Sequence, residues 1–170
     1  HCPLDCTYCF VDEMSTVQKK KVSYLSERQL ELLPQLPEEV RLIMLGCDTE
    51  FFQHRERVLQ ILERLVSLGK DLSVITKLYL SRDFIKQIGE IGKRMRSNGH
   101  VLAFSVSIPC FTSFKRWEPK APSPERRIET LRYAFEEGLM TMVAIRPLIP
   151  TVTDSELRDI VEQTSNVAGG

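Results

Sequence analysis

The residues with the clearest chemical potential are three cysteines at the start of the chain, Cys2, Cys6 and Cys9. Three thiols separated by three and then two residues can wrap a cuboidal [4Fe-4S] cluster from one short loop. Three ligands leave one iron open, and a catalytic metal centre needs an open position because an outside molecule must reach the metal. The spacing therefore predicts a [4Fe-4S] site that binds a further molecule.

Two other interpretations of these cysteines stay open. On a helix, positions 2, 6 and 9 would form one buried face of small apolar side chains. A zinc site is the stronger rival, since a fourth ligand would complete a tetrahedron. Four residues are available for that position: His1, Cys47, His54 and Cys110. Three clustered thiols lie too close together for disulfides to close useful loops, which favours metal or catalytic thiolates in a reducing compartment.

The elements that would position these thiols are short apolar strands alternating with amphipathic helices. The predicted strands are 40–45, 72–76, 101–108 and 140–148. Five helices alternate with them; the predicted caps are Ser26, Ser81, Ser123 and Thr153, and the predicted stops are Gly69, Gly99 and Gly138. Serial βα units indicate parallel strands, in either an open sheet or a barrel.

Length and composition indicate one globular domain. The chain has 170 residues, 42% hydrophobic and 27% charged. Lys plus Arg and Asp plus Glu both total 23, so no overall positive field draws in a phosphate backbone. No apolar run approaches the roughly 20 residues of a membrane span, and no signal peptide is visible. We expect a cytoplasmic protein whose single domain, residues 1–170, is incomplete at both ends.

The cysteine spacing, with the aromatic Tyr8 directly before Cys9, resembles the motif of the radical S-adenosylmethionine (SAM) superfamily. The resemblance implies an α/β fold, a partial (β/α)6 TIM-like barrel, with SAM chelating the open iron of the cluster. In that frame the predicted strands are the second to fifth, so the first and last strands are expected to be missing. The resemblance also implies a reductant partner such as flavodoxin or ferredoxin.

Within that superfamily the chain is similar to the spore photoproduct lyase group, also labelled DNA repair photolyase-like. Four local matches carry the similarity: Gly-Cys-Asp-Thr-Glu at 46–50, Ile-Thr-Lys at 75–77, Phe-Ser-Val-Ser at 104–107 and Trp-Glu-Pro at 117–119. Apart from the serines inside the predicted strand 101–108, these matches lie at or beyond the carboxyl end of a strand, where barrel enzymes build their active sites.

We expect contacts with SAM from six residues: Tyr8, Thr49, Glu50, Lys77, Ser105 and Arg146. From its chemistry, Glu50 or the neighbouring Asp48 could receive the SAM ammonium group, although either could instead cap the following helix. Lys77 could pair with the SAM carboxylate, or be a solvated lysine just past a strand.

The predicted strands 101–108 and 140–148 add further polar groups. Ser105 and Ser107 alternate with bulky residues, so both hydroxyls should point into the barrel, as ligands or as small fillers. Arg146, among apolar neighbours, needs a carboxylate or solvent at its strand end.

Cys47 matches the position at which spore photoproduct lyases carry a cysteine that returns a hydrogen atom to the product radical. The alternative is a small buried apolar residue, which is also how we interpret Cys110. Phe10 stands where those lyases have tyrosine, which argues against repair of the spore lesion.

The resemblance thus implies an enzyme of lyase or oxidoreductase type that reductively cleaves SAM to a 5′-deoxyadenosyl radical. This radical would abstract a hydrogen atom from an unknown substrate. A DNA lesion like that repaired by spore photoproduct lyase is one option. One alternative is a radical SAM enzyme that modifies a peptide or small molecule, which zero net charge favours over DNA. The other alternative is a zinc-stabilised, non-enzymatic interaction domain.

Overall fold

The computed structural model describes residues 2–13 and 26–169. Its described part contains one parallel sheet of β1 (Leu42–Leu45), β2 (Asp71–Thr76), β3 (Leu102–Ser107) and β4 (Met140–Ala144). The helices in this part are α1 (Glu27–Leu32), α2 (Arg55–Val66), α3 (Arg82–Ser97), α4 (Phe114–Trp117), α5 (Pro124–Glu136) and α6 (Asp154–Thr164).

The strands lie side by side in the order in which they occur along the chain, β1-β2-β3-β4, and every neighbouring pair is parallel. A helix lies between each strand and the next along the chain. This arrangement confirms the predicted α/β class, and it is consistent with part of a (β/α)6 radical SAM barrel. The predicted flanking strands would lie outside this sequence and stay a prediction.

Local signals in the sequence explain where the helices begin and end. Ser26 and Gln29 form the predicted capping box at α1, and the Thr153 hydroxyl accepts a hydrogen bond from the Glu156 backbone at α6. Ser81 and Ser123 occupy the N-cap positions of α3 and α5 with extended backbone but without a side-chain cap bond. The predicted helix stops, Gly69, Gly99 and Gly138, all have positive φ.

The hydrophobic core lies between the sheet and helices α2, α3 and α5. Phe104 and Val106 of β3 are fully buried there, together with Leu62, Ile85 and Leu131 from those three helices. Because side chains alternate along a strand, Ser105 and Ser107 point to the other face of the sheet. The helices thus cover one face of β3 and leave its hydroxyls on the face predicted to line the barrel.

The structure differs from the sequence-based prediction in one added helix and in the strand ends: β2 begins at Asp71 rather than at 72, and β3 spans Leu102–Ser107 rather than 101–108. β1 begins at Leu42 rather than at 40, and β4 ends at Ala144 rather than at 148. The shorter β4 is understandable because Pro147 has no amide hydrogen to continue a ladder. The four-residue α4 was not predicted, since it carries too few residues for an apolar period. In the described ranges no helix has the length and hydrophobicity to cross a bilayer.

Candidate active site

The loop that carries Cys2, Cys6 and Cys9 contacts the last residue of α4 and the chain segment that follows it. The Thr7 amide donates a 2.9 Å hydrogen bond to the Trp117 carbonyl, and its hydroxyl donates a longer one to the same oxygen. Asp5 forms an ion pair with Lys120. Residues 2–9 contain turns and no helix, so the interpretation of the three cysteines as one helical face is wrong.

All three thiols are free and half-buried. Burial raises the pKa of the Cys2 thiol, against the hydrogen bonds it receives from the Leu4 and Glu50 backbone amides. Burial also raises the pKa of Cys6 to about 11, an effect that the Lys77 ammonium opposes. Cys2 interacts electrostatically with both Cys6 and Cys9.

The chemistry of this donor set suits an iron–sulfur cluster. Thiolate sulfurs are the usual ligands of [4Fe-4S] clusters, and the nearby ammonium of Lys77 would offset part of their negative charge. In the described ranges, no three His, Cys, Asp or Glu side chains converge in a way that could hold one metal ion. Of the zinc ligands considered from the sequence, Cys110 is fully buried, Cys47 is exposed and His1 lies outside the described residues.

Lys77, which directly follows β2, lies at the centre of the polar groups near this loop. Its Nζ donates a 2.8 Å hydrogen bond to the Ser107 hydroxyl and lies 3.6 Å from Glu118 Oε1. The same Nζ lies 5.8 Å from the centre of the Tyr8 ring. The structure therefore brings together Tyr8, Lys77 and Ser107, which the sequence predicted for the site from three separate segments.

Glu118 and Arg127 form an ion pair beneath these residues, with a shortest distance of 2.6 Å and both side chains 0% exposed. Both atoms of that contact, Glu118 Oε2 and Arg127 Nη2, lack a partner in hydrogen-bond geometry, so the contact is a close but poorly aligned ion pair. Tyr8 donates a hydrogen bond from its hydroxyl to Glu118 Oε1 and is also hydrogen-bonded to Cys6. Burial and the Glu118 carboxylate raise the pKa of Tyr8, so its phenol stays protonated.

In the sequence, Glu118 lies in the Trp-Glu-Pro match without a predicted role, and Arg127 carries no prediction. A signal for Arg127 existed: it lies four residues before Leu131 and seven before Ala134, at the spacing of the buried face of α5. An arginine at such a position must find a buried partner.

Glu50 joins separate segments of the site through hydrogen bonds to its carboxylate. It is 4% exposed, and its carboxylate accepts hydrogen bonds from the Phe52 amide, the Thr76 hydroxyl and the Lys77 amide at 2.8–3.0 Å. It caps the short 3-10 helix Phe51–Gln53, the alternative considered for it from the sequence. Burial raises its pKa, against those hydrogen bonds. Its contact with SAM stays a prediction.

The remaining predicted residues lie on β3 and beyond the carboxyl ends of β1 and β4. Ser105 is buried on the same face of β3 as Ser107. Cys47 and Thr49 are exposed on the loop after β1, and Arg146 is exposed two residues beyond β4. Solvent is thus the environment that Arg146 finds at its strand end.

The chain is similar to known proteins in sequence profile and in fold. The sequence profile of the radical SAM superfamily matches residues 1–164. No curated protein sequence gives a significant match. Two solved structures are similar in fold: a tyrosine-to-phenylalanine mutant of spore photoproduct lyase, with a TM-score of 0.71, and a cysteine-to-alanine mutant of spore photoproduct lyase, with a TM-score of 0.66.

Both structures are 14% identical to this chain, and each match covers 96% of this chain and 49% of the other. The chain therefore spans about half the length of the solved structures it matches, and at this identity the likeness concerns the fold alone. The superfamily match, in contrast, is a match of the sequence itself, extends over residues 1–164 and includes the three cysteines. This chain belongs to the radical SAM superfamily.

Proposed function

We propose that this chain is the core domain of a radical SAM enzyme in which Cys2, Cys6 and Cys9 hold a [4Fe-4S] cluster. The observation that carries the proposal is the cysteine loop itself, which lies against Lys77 and Glu118 at the carboxyl ends of the strands. When bound, cluster and SAM supply a 5′-deoxyadenosyl radical by reductive cleavage, for hydrogen abstraction from a substrate. The electron would come from a reductant such as flavodoxin or ferredoxin in a reducing cytoplasm.

Several side chains of this domain would hold SAM. The Lys77 ammonium is fixed by Ser107 and is 18% exposed, which suits it to pair with the SAM carboxylate. Tyr8 lies on the cysteine loop beside it, and Ser105 offers a second hydroxyl on the same face of β3. Thr49 follows β1 and Arg146 follows β4, the two outer strands of the described sheet. Both lie beyond the carboxyl ends of their strands, where their polar groups could reach the ribose or the methionine moiety.

Glu50 would act in SAM binding through its neighbours as well as directly. Three of its acceptor positions are taken by protein donors, one of which is the backbone amide of Lys77. A carboxylate has about four such positions, so one remains for an ammonium group.

Cys47 is proposed as the hydrogen-atom donor. It is exposed on the loop after β1, so a substrate radical could reach its thiol. The similarity to two spore photoproduct lyase structures supports chemistry of the lyase type. Phe10 and the zero net charge support a substrate other than the spore DNA lesion, such as a peptide or a small molecule.

The test uses the full-length protein, reconstituted with iron and sulfide without oxygen. We expect about four irons per chain and release of 5′-deoxyadenosine from SAM on reduction. Cys6→Ala should lose both properties, whereas the matched variant Cys47→Ala should keep its iron because that thiol lies outside the cysteine loop. Stoichiometric zinc in the native protein, or a cluster that survives Cys6→Ala, would overturn the proposal.

A further inference from the structure

A fully buried ion pair lies beneath the cysteine loop, and the proposed cofactor contacts do not use it. Glu118 and Arg127 are both 0% exposed. Removing two charges from water costs free energy that their mutual attraction does not always return, and apolar replacements are often equally stable or more so. The stability of the fold alone is therefore a weak explanation for the pair.

Arg127 is anchored to rigid parts of the fold. Its Nη1 donates a 2.8 Å hydrogen bond to the Ser107 carbonyl at the end of β3, and its Nε donates one of the same length to the Pro122 carbonyl. The guanidinium is planar, so two such bonds fix its plane and the direction in which Nη2 meets Glu118. The orientation of the Glu118 carboxylate is in this way set by the sheet.

The two oxygens of Glu118 face opposite directions. Oε2 contacts Arg127, whereas Oε1 accepts the Tyr8 hydroxyl from the cysteine loop and lies 3.6 Å from the Lys77 ammonium after β2. One carboxylate oxygen thus contacts two groups that come from different segments of the chain. Cys6 also interacts with both groups, through a hydrogen bond with Tyr8 and electrostatically with Lys77, but it belongs to the cysteine loop itself.

We propose that Glu118 is a positioning residue, oriented by Arg127, that holds the Lys77 ammonium beside Tyr8 of the cysteine loop. This inference rests on the proposed function, since it concerns how the site presents its ammonium group to SAM. Loss of Glu118 should weaken SAM binding while the three cysteines keep their cluster. The claim concerns placement of Lys77 and not a contact between Glu118 and SAM.

The first experiment measures the dissociation constant for SAM by equilibrium dialysis, with the anaerobically reconstituted full-length protein. Glu118→Gln should raise this constant about tenfold or more, because a hydrogen bond to a charged group and an ion pair are lost together. Iron content should equal that of the wild type. The control is Glu63→Gln, which breaks an exposed Glu–Arg pair with Arg94 and should leave the constant unchanged.

Glu118→Gln leaves Arg127 buried without a counter-charge and can fail to fold for that reason. The second variant, E118Q/R127M, removes both charges and should fold, as judged by its thermal unfolding, with the same loss of SAM affinity. If this folded double variant bound SAM as tightly as the wild type, the positioning role would be overturned.

A double-mutant cycle with Lys77→Met separates positioning from a general structural effect. If Glu118 acts through Lys77, Glu118→Gln should change the dissociation constant less than about threefold when Lys77 is already replaced. An undiminished effect in the Lys77→Met background would overturn the inference. Failure of the wild type to bind SAM at all would instead contradict the proposed function, so the two failures are distinguishable.

Discussion

The Thr76 hydroxyl donates a 2.8 Å hydrogen bond to Glu50 Oε1, which joins the end of β2 to the loop that follows β1. The same oxygen accepts the Phe52 amide, and Oε2 accepts the Lys77 amide. The carboxylate therefore holds together the two strand ends that carry the predicted SAM contacts.

Glu50→Ala should lower the free energy of unfolding by about 3 kcal/mol, because three buried or half-buried donors lose their acceptor. Thr76→Val removes only one of those donors and should cost about 1 kcal/mol. Urea denaturation of both variants, followed by circular dichroism, measures the difference. Equal and small decreases in the free energy of unfolding of both variants would show that the carboxylate does not hold the two strand ends together.

Gly46 is required by both conformation and space at the end of β1. Its φ is +90°, and a Cβ atom there would lie 2.5 Å from the Ile75 carbonyl oxygen. Gly46→Ala should therefore destabilise the fold by about 3 kcal/mol, from the left-handed backbone and the clash together. The matched control is Gly99→Ala, where φ is +81° but no atom lies within 4 Å. This variant should cost about 1 kcal/mol, and similar losses in both would contradict the close approach.

Glu156 at the start of α6 holds the loop that follows β3. One carboxylate oxygen accepts the Phe111 amide at 2.6 Å and the Ser113 amide and hydroxyl at 2.9 Å. Burial alone would raise the pKa of Glu156, but these hydrogen bonds lower it overall. Glu156→Ala should speed hydrogen exchange of the Phe111 and Ser113 amides about tenfold or more, because the loop opens more often.

The direction of that pKa shift also fixes the pH dependence. A carboxyl group with a lowered pKa in the folded state contributes stability above its ordinary pKa and loses it as pH falls through the folded value. In the wild type, the protection of the two amides from exchange, corrected for intrinsic rates, should therefore decrease as the pH drops below the ordinary pKa of a glutamate. In Glu156→Ala it should not show this decrease. A protection that rises on acidification would contradict the assignment.

The two cysteines outside the cluster motif should differ in reactivity. Cys47 is exposed, whereas Cys110 is fully buried and burial raises its pKa to about 11. Only the thiolate reacts with iodoacetamide, and at pH 8 roughly a thousandth of such a thiol is ionised. Brief alkylation followed by peptide mass spectrometry should label Cys47 and spare Cys110, and denaturation in urea should remove the difference.

The strands and the main helices were predictable because each one satisfies a local rule. Apolar runs gave the strands, and capping residues and glycines gave the helix ends, as at Ser26 and Gly138. The ends of β1 and β4 were less predictable, since a strand ends where its partner no longer offers hydrogen bonds. That depends on the neighbouring chain and not on the strand sequence alone.

The site was predictable where one residue carries its own chemistry, as with the cysteines and Lys77. It was not predictable where two residues far apart complete each other. Glu118 lies in a short irregular segment, and only its buried contacts with Arg127 and Tyr8 give it a role. The expected role of Glu50 illustrates the same limit, because its three donors come from the end of β2 and from the segment after β1, which the sequence alone could not bring together.

The docked cysteine loop depends on contacts of long sequence separation: Thr7 with Trp117 and Tyr8 with Glu118, both 110 residues apart. During synthesis the cysteines leave the ribosome long before these partners exist. The cysteine loop therefore cannot form these contacts until the segment after β3, with Trp117 and Glu118, has been synthesised and folded. Iron delivered before that moment would meet ligands that are not yet held in place, so the proposed cluster would be loaded after the domain has folded.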